Sequence, residues 1–160
     1  AAGRAGRDAE RAGASEMWIQ TWHPAHPLYQ ALARHDYASF AATQLRERES
    51  AGLPPWSHLA VLRADARTAE AARAFLDAAA AEARALAESD GVMVYAPVPL
   101  DIARVADVER MQMLVESTSR QQLQAMLRAW GPRLDALHVP RGDAAVRILR
   151  WAIDVDPLTI

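Results

Sequence analysis

SHLAVLRADARTAEAARAFLDAAAAEARALAES, residues 57–89, holds a strand and a helix joined near Thr68. Its first ten residues, Ser57 to Ala66, read as a strand. From about Thr68 the apolar positions Ala72, Phe75, Leu76, Ala79, Ala83 and Leu86 fall on one helical stripe, and Gly91 stops the run. VMVY (92–95) is then a short strand. Beyond a proline-bearing connection, ERMQMLVES (109–117) alternates, with Met111, Met113 and Val115 on one face. A second helix starts near Thr118 or Ser119 and places Leu123, Met126, Leu127, Trp130, Leu134 and Leu137 at the offsets used by the first. VRILRWAIDVDP (146–157) alternates Leu149, Trp151, Ile153 and Val155 against a more polar face. Strand-helix-strand occurring twice predicts an α+β, split βαβ (ferredoxin-like) fold, with two helices on one face of a four-stranded antiparallel sheet. Gly131-Pro132 is expected to kink the second helix or split it.

The N-terminal third is organised differently. Gly3 to Ser15 reads as a loop, and MWIQTWHP (17–24) as a short buried strand halted by Pro24. Leu28, Leu32 and Phe40 have helical spacing, RERES (46–50) is a solvated helix end, and Gly52 is a C′ residue. Pro54-Pro55 forbids continuation, so the expected division is 1–55 and 56–160.

The 160 residues are 51% hydrophobic and contain no cysteine, which excludes disulfides, thiolate zinc sites and cysteine nucleophiles. No apolar run reaches the roughly 18 residues of a membrane span and no signal-peptide pattern is seen, so a cytoplasmic protein is expected, with no membrane partner. All 18 basic residues are arginine against 20 acids, a net charge of −2. Residues 57–160 carry 12 arginines and 14 acids, so any affinity for nucleic acid is expected to be weak and local. With no G-x-x-x-x-G-K-[ST] loop, the chain alone is not expected to hydrolyse ATP.

Four groups of residues carry candidate chemistry. Gly3-Arg4 and Gly6-Arg7 combine close backbone approach with forked guanidinium donors, a combination suited to phosphate. His23 and His26 have H-x-x-H spacing, but prolines interrupt it and no third ligand follows; a loop-organising role is preferred and no metal is expected. Asp154 and Asp156 are spaced to share a strand face about 7 Å apart, where pairing with Arg150 is preferred to acid/base work. Arg120 and Gln124 sit four apart at the start of the second helix, where an arginine needs an anion or an acidic partner to offset it.

Taken in order, GRAGR (3–7), WIQTWHPAHPLYQAL (18–32), HDYASFAATQLRERESAGLPPWSHLAVLRADA (35–66) and RWAIDVDP (150–157) resemble the C-terminal part of the primosomal protein N′ family, the replication-restart DNA helicases. The resemblance spans nearly the whole chain and implies that it is part of a longer protein. GRAGR resembles the end of helicase motif VI, so Arg4 and Arg7 would reach ATP phosphates, with Gly3 and Gly6 beside them. Residues 1–55 would then be the end of the second helicase lobe and 56–160 the C-terminal domain. ATP and magnesium would bind the parent protein, and zinc an insertion upstream of this chain. Partners implied are forked DNA, other primosome proteins and single-stranded DNA-binding protein, whose acidic tail would dock at Arg120 and Gln124. The connection DIARVADVER (101–110) stands where the family often has a basic loop; Arg104 and Arg110 would be its DNA contacts, although Asp101, Asp107 and Glu109 balance them. A stand-alone ferredoxin-like ligand- or protein-binding module is the alternative.

Overall fold

The computed structural model describes residues 18–87, 91–138 and 148–158. In chain order the elements are α1 (Pro27–Ala33), α2 (Tyr37–Ser50), β1 (His58–Ala66), α3 (Ala69–Ala87), β2 (Val92–Val94), β3 (Val98–Val105), β4 (Val108–Ser117), α4 (Arg120–His138) and β5 (Ile148–Val155). Two compact units meet inside α2, between Arg46 and Glu47.

In the first unit, His26 caps α1, its Nδ1 accepting the Leu28 N–H, and Pro27 opens the helix where its missing N–H costs nothing. Asp36 starts α2, its Oδ1 accepting the Ser39 N–H at 3.2 Å. His35 bridges the two helices with φ 54, a left-handed position more usually filled by glycine. The expected strand over MWIQTWHP is not present in its described part, 18–24: Trp18 and Trp22 stand 88% and 95% exposed. Strand pairing satisfies backbone groups through a neighbour, and the described residues of this unit hold no other strand. Met17 lies outside the described residues.

The second unit is α+β. Gly52, at φ +63, closes α2: its N–H donates to the Glu49 carbonyl while Leu53 N–H reaches back to Arg48. That is the paired bonding of a Schellman cap, at the glycine expected to supply it. Thr68 caps α3, its Oγ1 accepting the Ala71 N–H, and Ser119 does the same for α4 through the Gln122 N–H. The sheet has five strands, all antiparallel, in the order β2-β4-β1-β5, with β3 also paired to β4. Helices α3 and α4 cover one face, burying Ala60, Leu62 and Ala64 of β1, Met111, Met113 and Val115 of β4, and their own apolar stripes.

Two details differ from expectation and a third narrows it. DIARVADVER is not a connection but most of a hairpin between β3 and β4, so five strands replace four. Its turn residues Ala106 and Asp107 have φ of 47 and 60; positive φ at both central positions is what a two-residue type I′ hairpin turn requires. Of the kink or split expected at Gly131-Pro132, the split does not occur: α4 runs through Pro132 as one element. In β5, a register shift at the Asp65/Ala66 end puts Ile148 into the core and leaves Leu149 39% exposed. One extra residue in a strand reverses which face each preceding side chain takes, and that reversal inverts the alternation expected for Leu149.

Candidate functional site

The N-terminus of α4 is held by a small polar network. Ser117, 2% exposed, donates its hydroxyl to the Gly91 carbonyl at 3.2 Å and accepts the Ser119 N–H at 3.1 Å. Gly91 has φ +64, and a Cβ there would lie 3.3 Å from the Gln122 side chain, so glycine suits both backbone and space. From this anchored start, Arg120 projects into solvent and Gln124, one turn on, is half-buried. The acidic partner that Arg120 needs is Asp156, whose Oδ2 accepts from Nη2 at 3.3 Å. Asp156 lies just past β5 with φ 53, its N–H bonded to the Leu59 carbonyl. Both side chains stay substantially exposed, 67% and 50%, and pairs of that kind contribute between 0 and about 1 kcal/mol. An external carboxylate can therefore exchange with Asp156 at small cost.

The sheet face opposite the helices carries a second set of ion pairs. Asp65, in the middle strand, stands directly opposite Arg110 of β4 and Arg150 of β5. Its Oδ2 accepts the Arg150 Nε–H at 2.6 Å, and its Oδ1 lies 3.7 Å from Arg110 Nε. Arg63 pairs with Asp154 at 2.9 Å. The pairing expected between Arg150 and the acids at 154 and 156 is thus not the one formed: each acid takes a different arginine, and Asp156 lies beyond the strand. Arg104 closes its own turn, Nη2 donating to Asp107 at 2.6 Å with Glu109 3.6 Å from Nε. That hydrogen bond, with both carboxylates' charge, holds the guanidinium proton more firmly than usual.

The expected sites therefore separate. Arg120 and Gln124 share one helix face, Arg104 lies on the β3–β4 turn, and Arg110 joins Asp65 and Arg150. Gly3, Arg4, Gly6 and Arg7 fall outside the described residues. His26 caps a helix, and among the described residues no three histidines and acids gather at metal-binding distance. Nor, among them, is any helix long and apolar enough to cross a membrane. Asp65 went unrecognised in the sequence because its partners stand 45 and 85 residues away; the available signal was one acid inside the apolar run of β1.

Comparison with known proteins gives a consistent result. Residues 49–158 match the family described as the primosomal protein N C-terminal domain. The replication restart protein PriA of Haemophilus influenzae is 36% identical over 129 residues, 81% of this chain and 17% of that protein. The protein of the same name from Synechocystis sp. is 34% identical over 117 residues, covering 73% of this chain and 14% of the relative. That from Treponema pallidum is 33% identical over 161 residues, covering 99% and 22%. The chain thus spans between 14% and 22% of the length of these relatives.

Proposed function

The chain belongs to the primosomal protein N C-terminal domain family, and on that premise we propose that it is the docking end of an ATP-driven helicase that restarts replication at stalled forks. Residues 47–160 would form a binding module for fork DNA and for the acidic tail of single-stranded DNA-binding protein, alongside other primosome proteins. Arg4 and Arg7, with Gly3 and Gly6, would serve an ATP site built mainly by the rest of the parent, which would also supply magnesium and the zinc insertion. The chemistry at that site would be charge neutralisation: an arginine fork stabilises the negative charge developing on a transferred phosphoryl group.

The observation that carries the docking role is the Arg120–Asp156 pair. A guanidinium in the first turn of α4, where no acid is present, meets a carboxylate that is exposed and weakly held. Asp156 occupies the place an acidic tail would take, and Gln124 adds amide donors one turn along. Arg104 is less suited to a phosphate, since two carboxylates already engage it.

Titration with an acidic peptide ending in an aromatic residue tests the reading. Arg120→Ala is expected to weaken binding about tenfold, the loss of one charge-assisted contact. Asp156→Asn is expected to tighten it by removing the internal competitor. Unchanged affinity in both variants would remove the site.

A further inference from the structure

On the open face of the sheet, Asp65, Arg110 and Arg150 share a cleft of about 370 Å³ with the aliphatic side chains of Val105, Val108 and Leu149. We propose that this cleft binds phosphate, with Arg110 and Arg150 as donors and Asp65 as the residue that positions them, and that the ligand is the phosphodiester backbone of nucleic acid. The inference rests on the reading that the chain meets DNA, and it moves the contact from the Arg104 turn to the strands β4 and β5.

The geometry supports this in three ways. First, Asp65 engages both arginines through Nε, at 2.6 Å for Arg150 and 3.7 Å for Arg110. The approach of Asp65 to each arginine is thus by Nε, at the stem side of the guanidinium, whereas the terminal Nη atoms are the donors that fork onto an oxyanion. Secondly, the set is electrostatically incomplete. One carboxylate between two guanidiniums leaves a net positive charge, and Arg110 Nε is buried with no hydrogen-bond partner. Asp65 itself has a side chain only 10% exposed, so it is a fixed feature of the sheet and not a free competitor. Thirdly, the cleft has the wrong shape for a bare ion. Its volume lies within the range of sites for small organic groups, and one wall is aliphatic. A deoxyribose covers that wall while its phosphate meets the arginines. Inorganic phosphate has nothing to place there.

The cross-strand register fixes the spacing. Arg110 and Arg150 sit opposite the same residue of β1, so their backbones are roughly 10 Å apart, two strand spacings, and both lean toward the carboxylate between them. A site of this kind is local, and that is the only kind of nucleic-acid affinity the near-neutral charge of the chain permits.

The experiment is a fluorescence-anisotropy titration of a labelled single-stranded oligodeoxynucleotide with the full chain at several salt concentrations. Arg150→Gln is the leading variant, because Arg150 is 75% exposed and its loss leaves the core untouched; Arg110→Gln is the second. Arg133→Gln, which removes the same charge from α4, is the control. Each of the first two is expected to weaken binding roughly three- to tenfold at low salt and to lower the slope of log K against log salt by about one. The control is expected to change affinity less than about twofold, since a distant exposed charge is screened. Equal effects of all three variants, or no effect of Arg150→Gln and Arg110→Gln, would overturn the site. If acidic peptide still binds through Arg120 in that case, the proposed docking function survives and this proposal alone fails; loss of both removes the docking function as well. Inorganic phosphate distinguishes the source: at constant ionic strength it is expected to compete no better than sulfate. Its complete displacement of the oligonucleotide at millimolar concentration would make this a small-anion site and refute the nucleic-acid assignment.

Discussion

Trp130 is fully buried on α4, and its indole N–H donates to the Ala79 carbonyl of α3 at 3.0 Å. One side chain thus both packs in the core and joins α4 to the backbone of α3. Trp130→Ala is expected to cost about 3–5 kcal/mol, read from the denaturant midpoint, through the cavity it leaves and the lost bond. Asp36 acts in the first unit and differently. Hydrogen bonding to Ser39, with help from the Arg34 charge, holds its carboxyl below the ordinary value of 3.8. A depressed folded-state value means that its stabilisation of α2 is present above the unfolded value and fades as pH falls through the folded one. The Ser39 amide resonance is expected to titrate below pH 3.8, and Asp36→Ser, which caps without ionising, should abolish that response. Trp130 was legible in the sequence because its position in the helical stripe does not depend on distant partners. Asp65 was not, because its role is set by arginines that only sheet formation brings alongside it.

Helix α3 and its cap followed from periodicity and Thr68, and α4 from the same offsets with Ser119. The β3–β4 hairpin was hidden for a chemical reason. A turn needing positive φ at two positions is normally announced by Asn-Gly or Asp-Gly, whereas here Ala106 and Asp107 fill it. Alanine in the left-handed region is strained by roughly 1–2 kcal/mol relative to glycine. Ala106→Gly is therefore expected to stabilise the hairpin by about 0.5–1 kcal/mol, part of the gain being lost to the freer unfolded chain. Amide exchange across β3 should slow accordingly; unchanged protection would show that the turn is not strained. Of the two outcomes expected at Pro132, a split of α4 does not occur. Leu123, Met126, Leu127 and Trp130 before the proline and Leu134 after it are all buried, so packing on the sheet spans the one missing backbone bond.

Among the described residues, the core of the second unit is built from residues between Ala60 and Ile148. A fragment of residues 52–160 is therefore expected to unfold cooperatively, with a thermal midpoint within a few degrees of the full chain; a non-cooperative melt would show that earlier residues are needed. At this scale the α+β class and the helical layer were legible, whereas the open face, where charge is organised by register, was not. The position of β1 has a further consequence for biosynthesis. It is the middle strand of its neighbourhood, almost wholly buried, yet its two flanking strands are β4 and β5. On the ribosome, at about 5–20 residues per second, the first of these partners emerges several seconds after β1 and the second later still. Throughout that interval an apolar segment waits with both edges bare, so the vulnerable moment in this protein's life falls during translation.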